Sequence, residues 1–298
     1  MLETEKQTET IEAEVQVEEG QSGFGNLADA NLFENIVDVP LDAKSYEAPL
    51  ENVCLQTITA AETFFRVYDY QKAYDLLRDL TSRFGSDEQH LEEFGTAFDR
   101  SNVRWRLAKA CYFLAREAKQ NHDDMKRREV VNLGLQASHL AIEEAPKNVD
   151  AQKYVAIMHN ELGGLCSIRE KLECARMFQK HVLLAFEISP NDPDLHHMYG
   201  RFCFELATIG WTTRILASLV FGQVPETTLT QAWEHLKKAE VGKPNWALNL
   251  AWLTKVGVAL GLGRAVVEQY GERVTQLPCH SSEDREAKQI ALTALGSL

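Results

Sequence analysis

Three stretches of the chain, LAIEEAPKN (Leu140–Asn148), LAFEISPND (Leu184–Asp192) and KAEVGKPNW (Lys238–Trp246), align without a gap. Each carries an alanine, four intervening residues and a proline: Ala141/Pro146, Ala185/Pro190 and Ala239/Pro244. The alanine lets a neighbouring helix approach closely. The proline ends its helix and sets up the next one. A segment with apolar residues three and four apart follows each time, and a small residue sits inside it: Ala156 in YVAIMHNEL, Gly200 in MYGRFCFEL, Gly257 in LTKVGVAL. A spacing kept three times means one structural unit, a helix pair, used repeatedly.

An earlier unit is more compact. TITAAETFFRVYDYQKAYDLLRDLTSRF (Thr57–Phe84) has Ala61, then Ala73 twelve residues on, with Tyr70 at the turn and Leu77 and Leu80 beyond. This approaches the tetratricopeptide (TPR) pattern of roughly 34 residues. The later units are stretched: Ala108 to Gly134 spans 26 residues, Ala156 to Phe178 spans 22 and Gly200 to Ala232 spans 32. Few segments alternate with period two. The fold class expected is therefore all-α, a TPR-like superhelical array of four or five helix pairs with enlarged insertions between the helices of the later pairs. Buried stripes between neighbours hold such an array together. Leu107, Ala108, Cys111, Ala156, Leu184, Ala185, Gly200, Trp233, Leu236 and Ala239 are the expected core.

The longest insertion would hold GWTTRILASLVFGQVPETTLTQAW (Gly210–Trp233). Its apolar run is far short of the roughly 20 residues that span a bilayer. As a helix it puts Trp211, Ile215, Leu216, Leu219 and Val220 on one broad face. The expectation is an extra helix and loop capping its pair, or the wall of a cavity were lipid bound there.

The net charge is −13, but residues 1–50 hold twelve Asp and Glu against two Lys, leaving −3 for the rest. Residues 1–45 read as an acidic, largely disordered tail, too poor in large apolar side chains to offset the entropy of ordering. Residues 46–298 read as the helical repeat domain. The start has neither the basic-then-apolar order of a signal peptide nor the arginines of a mitochondrial presequence. NLFENIVDV (Asn31–Val39) fits a docking motif or the first segment of the folded domain. None of the six cysteines forms a Cys-x-x-Cys pair, so reduced thiols in a core are expected rather than disulfides or zinc.

Four stretches together resemble the regulator of microtubule dynamics family: NVRWRLAKACYFLA (Asn102–Ala115), HHMYGRFCFELATIGWTTRILASLVF (His196–Phe221), AWEHLKKAEVGKPNW (Ala232–Trp246) and HSSEDREAKQIALTALGSL (His280–Leu298). The resemblance covers roughly residues 55–298. It implies a TPR-like scaffold in the cytoplasm that associates with microtubules and spindle poles and supports chromosome segregation. It also implies an alternative, a lipid-binding or tethering module, since anchored relatives act at organelle contact sites and bind phospholipid. Two features depart from the family: no membrane anchor is evident, and the last repeat, around GVALGLGRAVVEQY, is short.

Residues 102–128 carry eight Lys and Arg against three Asp and Glu. Arg104, Arg106, Lys109, Lys126, Arg127 and Arg128 are the candidates for meeting the acidic tails of tubulin, or anionic lipid, through long-range, salt-sensitive attraction. The same residues also suit a solvated helix face, with Arg106 ion-paired. The concave wall of a helical array is lined mainly by the first helix of each pair. Lys109, Lys153, Asn160, Arg201 and Lys255 are its candidate groove residues, suited to a carboxylate or an acidic peptide.

No catalytic constellation marks the chain as an enzyme. His196 and His197 are adjacent, so on a helix they point about 100° apart and cannot share a metal from one face. GLGRAVV (Gly261–Val267) lacks the preceding strand and third glycine of a dinucleotide site, so no cofactor is expected. The basic residues are not interleaved with stacking aromatics as in nucleic-acid modules, and the chain as a whole is acidic.

Overall fold

The structure is a computed structural model. It describes residues 50–84, 95–210, 214, 218, 224 and 226–297, with side chains from Val53 onward. These belong to one compact unit, Ala48–Leu298. The acidic segment 1–45, NLFENIVDV and the proposed apolar face of Trp211, Ile215, Leu216, Leu219 and Val220 lie outside the described residues.

Eleven α-helices follow one another among the described residues: α1 Leu50–Arg66, α2 Tyr70–Arg83, α3 Ala97–Gln120, α4 Asp124–Glu144, α5 Val149–Gly163, α6 Ile168–Ile188, α7 Pro193–Ala207, α8 Leu229–Gly242, α9 Ala247–Ala259, α10 Arg264–Gln276 and α11 Ser282–Leu295. They pair as α1/α2, α3/α4, α5/α6, α7/α8 and α9/α10, and α11 packs on α9 and α10. The fold is a TPR-like helical array.

The alanine–proline spacing acts as the sequence indicated. Helices α4, α6 and α8 end just before Pro146, Pro190 and Pro244. In each, the backbone N–H of the C-cap residue donates to the carbonyl of the repeat alanine: Ala145 to Ala141, Ser189 to Ala185 and Lys243 to Ala239. All three alanines are fully buried. Starts are written as clearly. Thr96/Asp99, Ser167/Glu170, Thr228/Gln231 and Ser281/Asp284 close capping boxes, and Asp192 with Pro193 opens α7.

The extra spacing lies elsewhere than expected in two of the three stretched units. In α3/α4 and α5/α6 the connections are the short segments 121–123 and 164–167, and the length sits in the helices, with 24 residues in α3 and 21 in each of α4 and α6. A helix lengthens by a turn without altering how its pair packs, so a count between small residues cannot tell a long helix from a long loop. In the third unit, α7 and α8 are separated by residues 208–228, of which 211–213, 215–217, 219–223 and 225 lie outside the described residues.

Gly200 shows why the small positions are small. A Cβ there would lie 2.8 Å from Leu236 Cγ and 3.1 Å from the Ala232 carbonyl oxygen. Of the expected core, Leu184 is only half-buried, because Val182 and Ala185 take the inward face of α6. Trp233 is also half-buried, packed on the α8/α9 cluster with its ring edge-on to Tyr270 at 5.7 Å.

Candidate functional site

The first helices of successive pairs turn one face each toward a shared groove of about 1100 Å³. Helix α3 contributes Trp105, Lys109, Tyr112 and Arg116; α5 contributes Lys153, Tyr154, Ile157 and Asn160; α7 contributes His197, Met198, Arg201 and Phe202. Those spacings of three and four residues are one face of a helix. The groove is therefore made by the same repetition that makes the fold. Its aromatic residues are fixed by mutual packing: Trp105 stacks on Tyr154 at 5.6 Å, and His197 lies 4.2 Å from Trp246.

Lys109, Lys153, Asn160 and Arg201 line this groove, and Lys255 does not. Lys255 lies instead over the ring of Trp252, which Arg201 also covers. Lys153 bonds Asp150 at 2.8 Å and Asp192 at 3.0 Å. Burial alone would lower its pKa, but these carboxylates outweigh it and hold the ammonium up at about 12. For Lys109 burial prevails over the help from Glu62, and its pKa falls.

The six candidate cations between Arg104 and Arg128 do not form one solvent-facing patch. Arg104 pairs with Glu144 at 3.0 Å. Arg106 and Lys109 share Glu62 at 2.9 and 3.1 Å, and Arg106 also lies 4.0 Å over the Trp105 ring. Arg127 is buried against Glu161 at 2.9 Å. Lys126 faces solvent beside Glu129, and Arg128 is exposed and donates to the Leu165 carbonyl at 2.8 Å. The physical reason is the position of α3, which packs against α1, α2, α4 and α5 at once. Its cations meet carboxylates from distant sequence, which a local charge count cannot register.

Helix α11 closes one side of the groove. Arg116 donates to Glu286 and to the Tyr112 hydroxyl, and Glu283 accepts from Trp246 Nε1 at 2.9 Å. Two buried polar clusters escaped the sequence reading. His139, His159 and His181, from α4, α5 and α6, have ring centroids 5.5 to 6.5 Å apart, and His181 Nδ1 lies 2.7 Å from Gln152 Oε1. His196 Nδ1 meets His235 Nδ1 at 2.9 Å. His181 and His235 each stand four residues before a repeat alanine, and Gln152 and His196 each stand four before a small residue. The same polar contact thus recurs in two pairs, and the repeat register was the available signal. His196 and His197 diverge, His197 facing Asn249 at 3.0 Å. Among the described residues no group of three His, Cys, Asp or Glu is placed to hold a metal ion. No helix among them is long and apolar enough to cross a membrane.

Stacked helix pairs with an aromatic and cationic groove along their first helices define a protein of the TPR-like repeat class. Residues 57–298 match the family described as Regulator of microtubule dynamics protein 1-3, and the chain belongs to that family. It is 25% identical over 285 residues to Regulator of microtubule dynamics protein 2 of Homo sapiens, covering 94% of this chain and 65% of that protein. The rat protein 2 is 24% identical over 285 residues, with 94% and 64% covered. Regulator of microtubule dynamics protein 1 of Mus musculus is 27% identical over 195 residues, with 65% and 63% covered. The chain thus spans a little under two thirds of these relatives. Among solved structures, a thermophilic TPR protein of Thermus thermophilus superimposes with a TM-score of 0.52 at 13% identity, covering 81% of this chain and 98% of that one. That likeness concerns the fold.

Proposed function

We propose that this chain is a non-catalytic, microtubule-associated scaffold that organises spindle microtubules and supports chromosome segregation, working in the cytoplasm at the cytoskeleton and spindle pole. Membership of a family whose relatives are named for microtubule dynamics carries the reading. The groove supports the scaffold part of it: a preformed concave surface with aromatic walls and cations suits an extended acidic peptide. Of the candidate tubulin-binding residues, Arg128 is exposed and Lys126 partly so. These two therefore carry the direct attraction to acidic tails. Arg104, Arg106, Lys109 and Arg127 set the shape that presents them.

Microtubule co-sedimentation at low and high salt tests this. Full-length protein pellets with microtubules at low salt and less at high salt, because exposed charge pairs are screened beyond about 10 Å at 0.1 M. The Lys126→Glu/Arg128→Glu variant stays in the supernatant. Pelleting unchanged by that variant removes the tubulin assignment of these two residues.

The alternative is a phospholipid-binding or tethering role, favoured by one observation: a groove of about 1100 Å³ with aromatic walls and cations has room for acyl chains below a charged headgroup. Flotation with anionic vesicles, together with indifference to microtubules, selects that reading.

A further inference from the structure

Most cations around the groove are already held by carboxylates of the same chain, as Lys109, Arg116, Arg127, Lys153 and Lys243 are. Lys119, Lys171 and Arg285 line it with no ion pair among the described residues; Arg201 and Lys255 differ from both groups in sharing one aromatic ring. Neither has an ion-pair or hydrogen-bond partner among the described residues, and both are turned onto the same indole. The Arg201 guanidinium carbon lies 4.8 Å and Lys255 Nζ 4.5 Å from the Trp252 ring centroid, and Lys255 Nζ is 5.0 Å from Phe204. Trp252 is 4% exposed and its Nε1–H has no acceptor among the described residues.

Two like charges held against one ring repel each other. Cation–π attraction offsets part of that cost, on the order of 0.5–2 kcal/mol for each contact. Burial lowers the Lys255 pKa, the nearby Glu205 charge opposes the fall and Arg201 adds to it. The chain has thus placed two cations from α7 and α9 on one indole without a bonded counterion, at the part of the groove that Arg201 and Glu205 line.

We propose that Arg201 and Lys255 form an anion site at the edge of the groove that takes a single carboxylate from an acidic peptide segment of a partner protein. This rests on the reading of the groove as a peptide-binding surface. Charge complementarity selects the occupant. A guanidinium and an ammonium from two helices present donors to both oxygens of one carboxylate. The groove lining holds nine Lys and Arg against six carboxylates, one of them Glu205 beside this site, so its positive excess is modest. A singly charged carboxylate meets less repulsion from Glu205 than a dianionic phosphate. The aromatic walls receive the apolar side chains of the same segment.

Fluorescence anisotropy of the full chain with a labelled octapeptide of glutamate and tryptophan, beside its glutamine counterpart, tests the site. Arg201→Gln/Lys255→Gln weakens the glutamate peptide about tenfold or more, the loss of two charge-assisted contacts, and leaves the glutamine peptide within about twofold. Arg264→Gln, outside the groove, changes neither. Asn160→Trp, which obstructs the exposed floor of the groove, weakens both peptides. Glutamate binding that survives the double variant but is lost in Asn160→Trp overturns the anion site and leaves the groove reading standing. Binding that ignores both variants, or does not saturate below millimolar peptide, overturns both. If the peptide is ignored but the double variant abolishes pelleting with phosphatidylcholine–phosphatidate vesicles, the site belongs to a lipid headgroup and the proposal fails.

Discussion

Arg127 and Glu161 hold each other across the α4–α5 contact at 2.9 Å, with side chains only 8% and 12% exposed. An isolated charge at such a position is costly, while a pair exchanged for apolar residues loses little. Arg127→Gln is therefore expected to destabilise the fold by about 3 kcal/mol, and Arg127→Met/Glu161→Leu by less than about 1 kcal/mol. Urea unfolding of the three proteins checks this. Equal losses in the single and double variants would mean that packing, not the uncompensated charge, sets the cost. It follows that a charge reversal at Arg127 would report on folding as much as on tubulin.

Gly200 lies in a close approach of α7 to Leu236 on α8. The added Cβ of Gly200→Ala meets a side-chain carbon at 2.8 Å and a helix backbone oxygen at 3.1 Å. The backbone oxygen cannot swing away as a side chain can. The substitution is expected to cost about 1–3 kcal/mol, although alanine is the better helix former. A thermal melt of Gly200→Ala that rises instead would show that α8 shifts freely and that the pair is loosely packed.

Three of the turns between paired helices end the first helix in the same way. Tyr68, His122 and Gly261 have φ of 61°, 56° and 67°. The next residue's N–H reaches back five positions: Asp69 to Phe64, Asp123 to Ala118 and Leu262 to Gly257. This is a Schellman end, which favours glycine at the left-handed position. Only the third turn has one. His122 is exposed, so His122→Gly removes little packing and relieves the strain. It is expected to raise unfolding free energy by about 0.5–1 kcal/mol. A lower urea midpoint in this variant would contradict that account.

The parts of this molecule that were readable in its sequence are the local ones. Ala141, Ala185 and Ala239 with their prolines mark helix ends within a few residues, and Gly200 and Ala156 mark close approaches, because each acts through its own backbone or missing side chain. The groove was half readable. Lys153 and Arg201 fell on the right helix face, but Trp105, Tyr112 and Tyr154 have the spacing of ordinary core residues, and only the stacked array shows that they face inward across an opening. The cations of α3 were misleading for a physical reason. Glu62 and Glu144, which hold Arg106, Lys109 and Arg104, lie about forty residues away in the chain, and charge pairing at that distance follows from tertiary packing alone.

The three imidazoles joining α4, α5 and α6 make stability depend on pH. His159 and His181 are buried, with His159 Nδ1 and Nε2 and His181 Nε2 lacking any partner among the described residues. Burial lowers the pKa of both to about 4; for His159 the neighbouring His139 adds to the fall and Glu173 opposes it, and for His181 Lys180, His139 and His159 all add. His139 is also lowered, by burial and Lys180 against the opposing Glu143. An unfolded histidine titrates near 6.5. Above that value both states are neutral and the cluster adds no pH dependence. Between about pH 6.5 and 4 the unfolded chain binds protons that the folded chain refuses, so unfolding free energy falls as pH falls. The loss is expected to reach a few kcal/mol in sum by pH 4.5, on the order of 1.4 kcal/mol for each pH unit of full proton difference. Denaturant midpoints at pH 7.5 and pH 5 measure it. His159→Phe flattens the dependence, since it removes one titrating group and leaves the others with fewer like charges to face. An unchanged slope in that variant would place the acid sensitivity elsewhere, with the His196–His235 pair, where burial also lowers the pKa of His235 to about 4, as the next group to substitute.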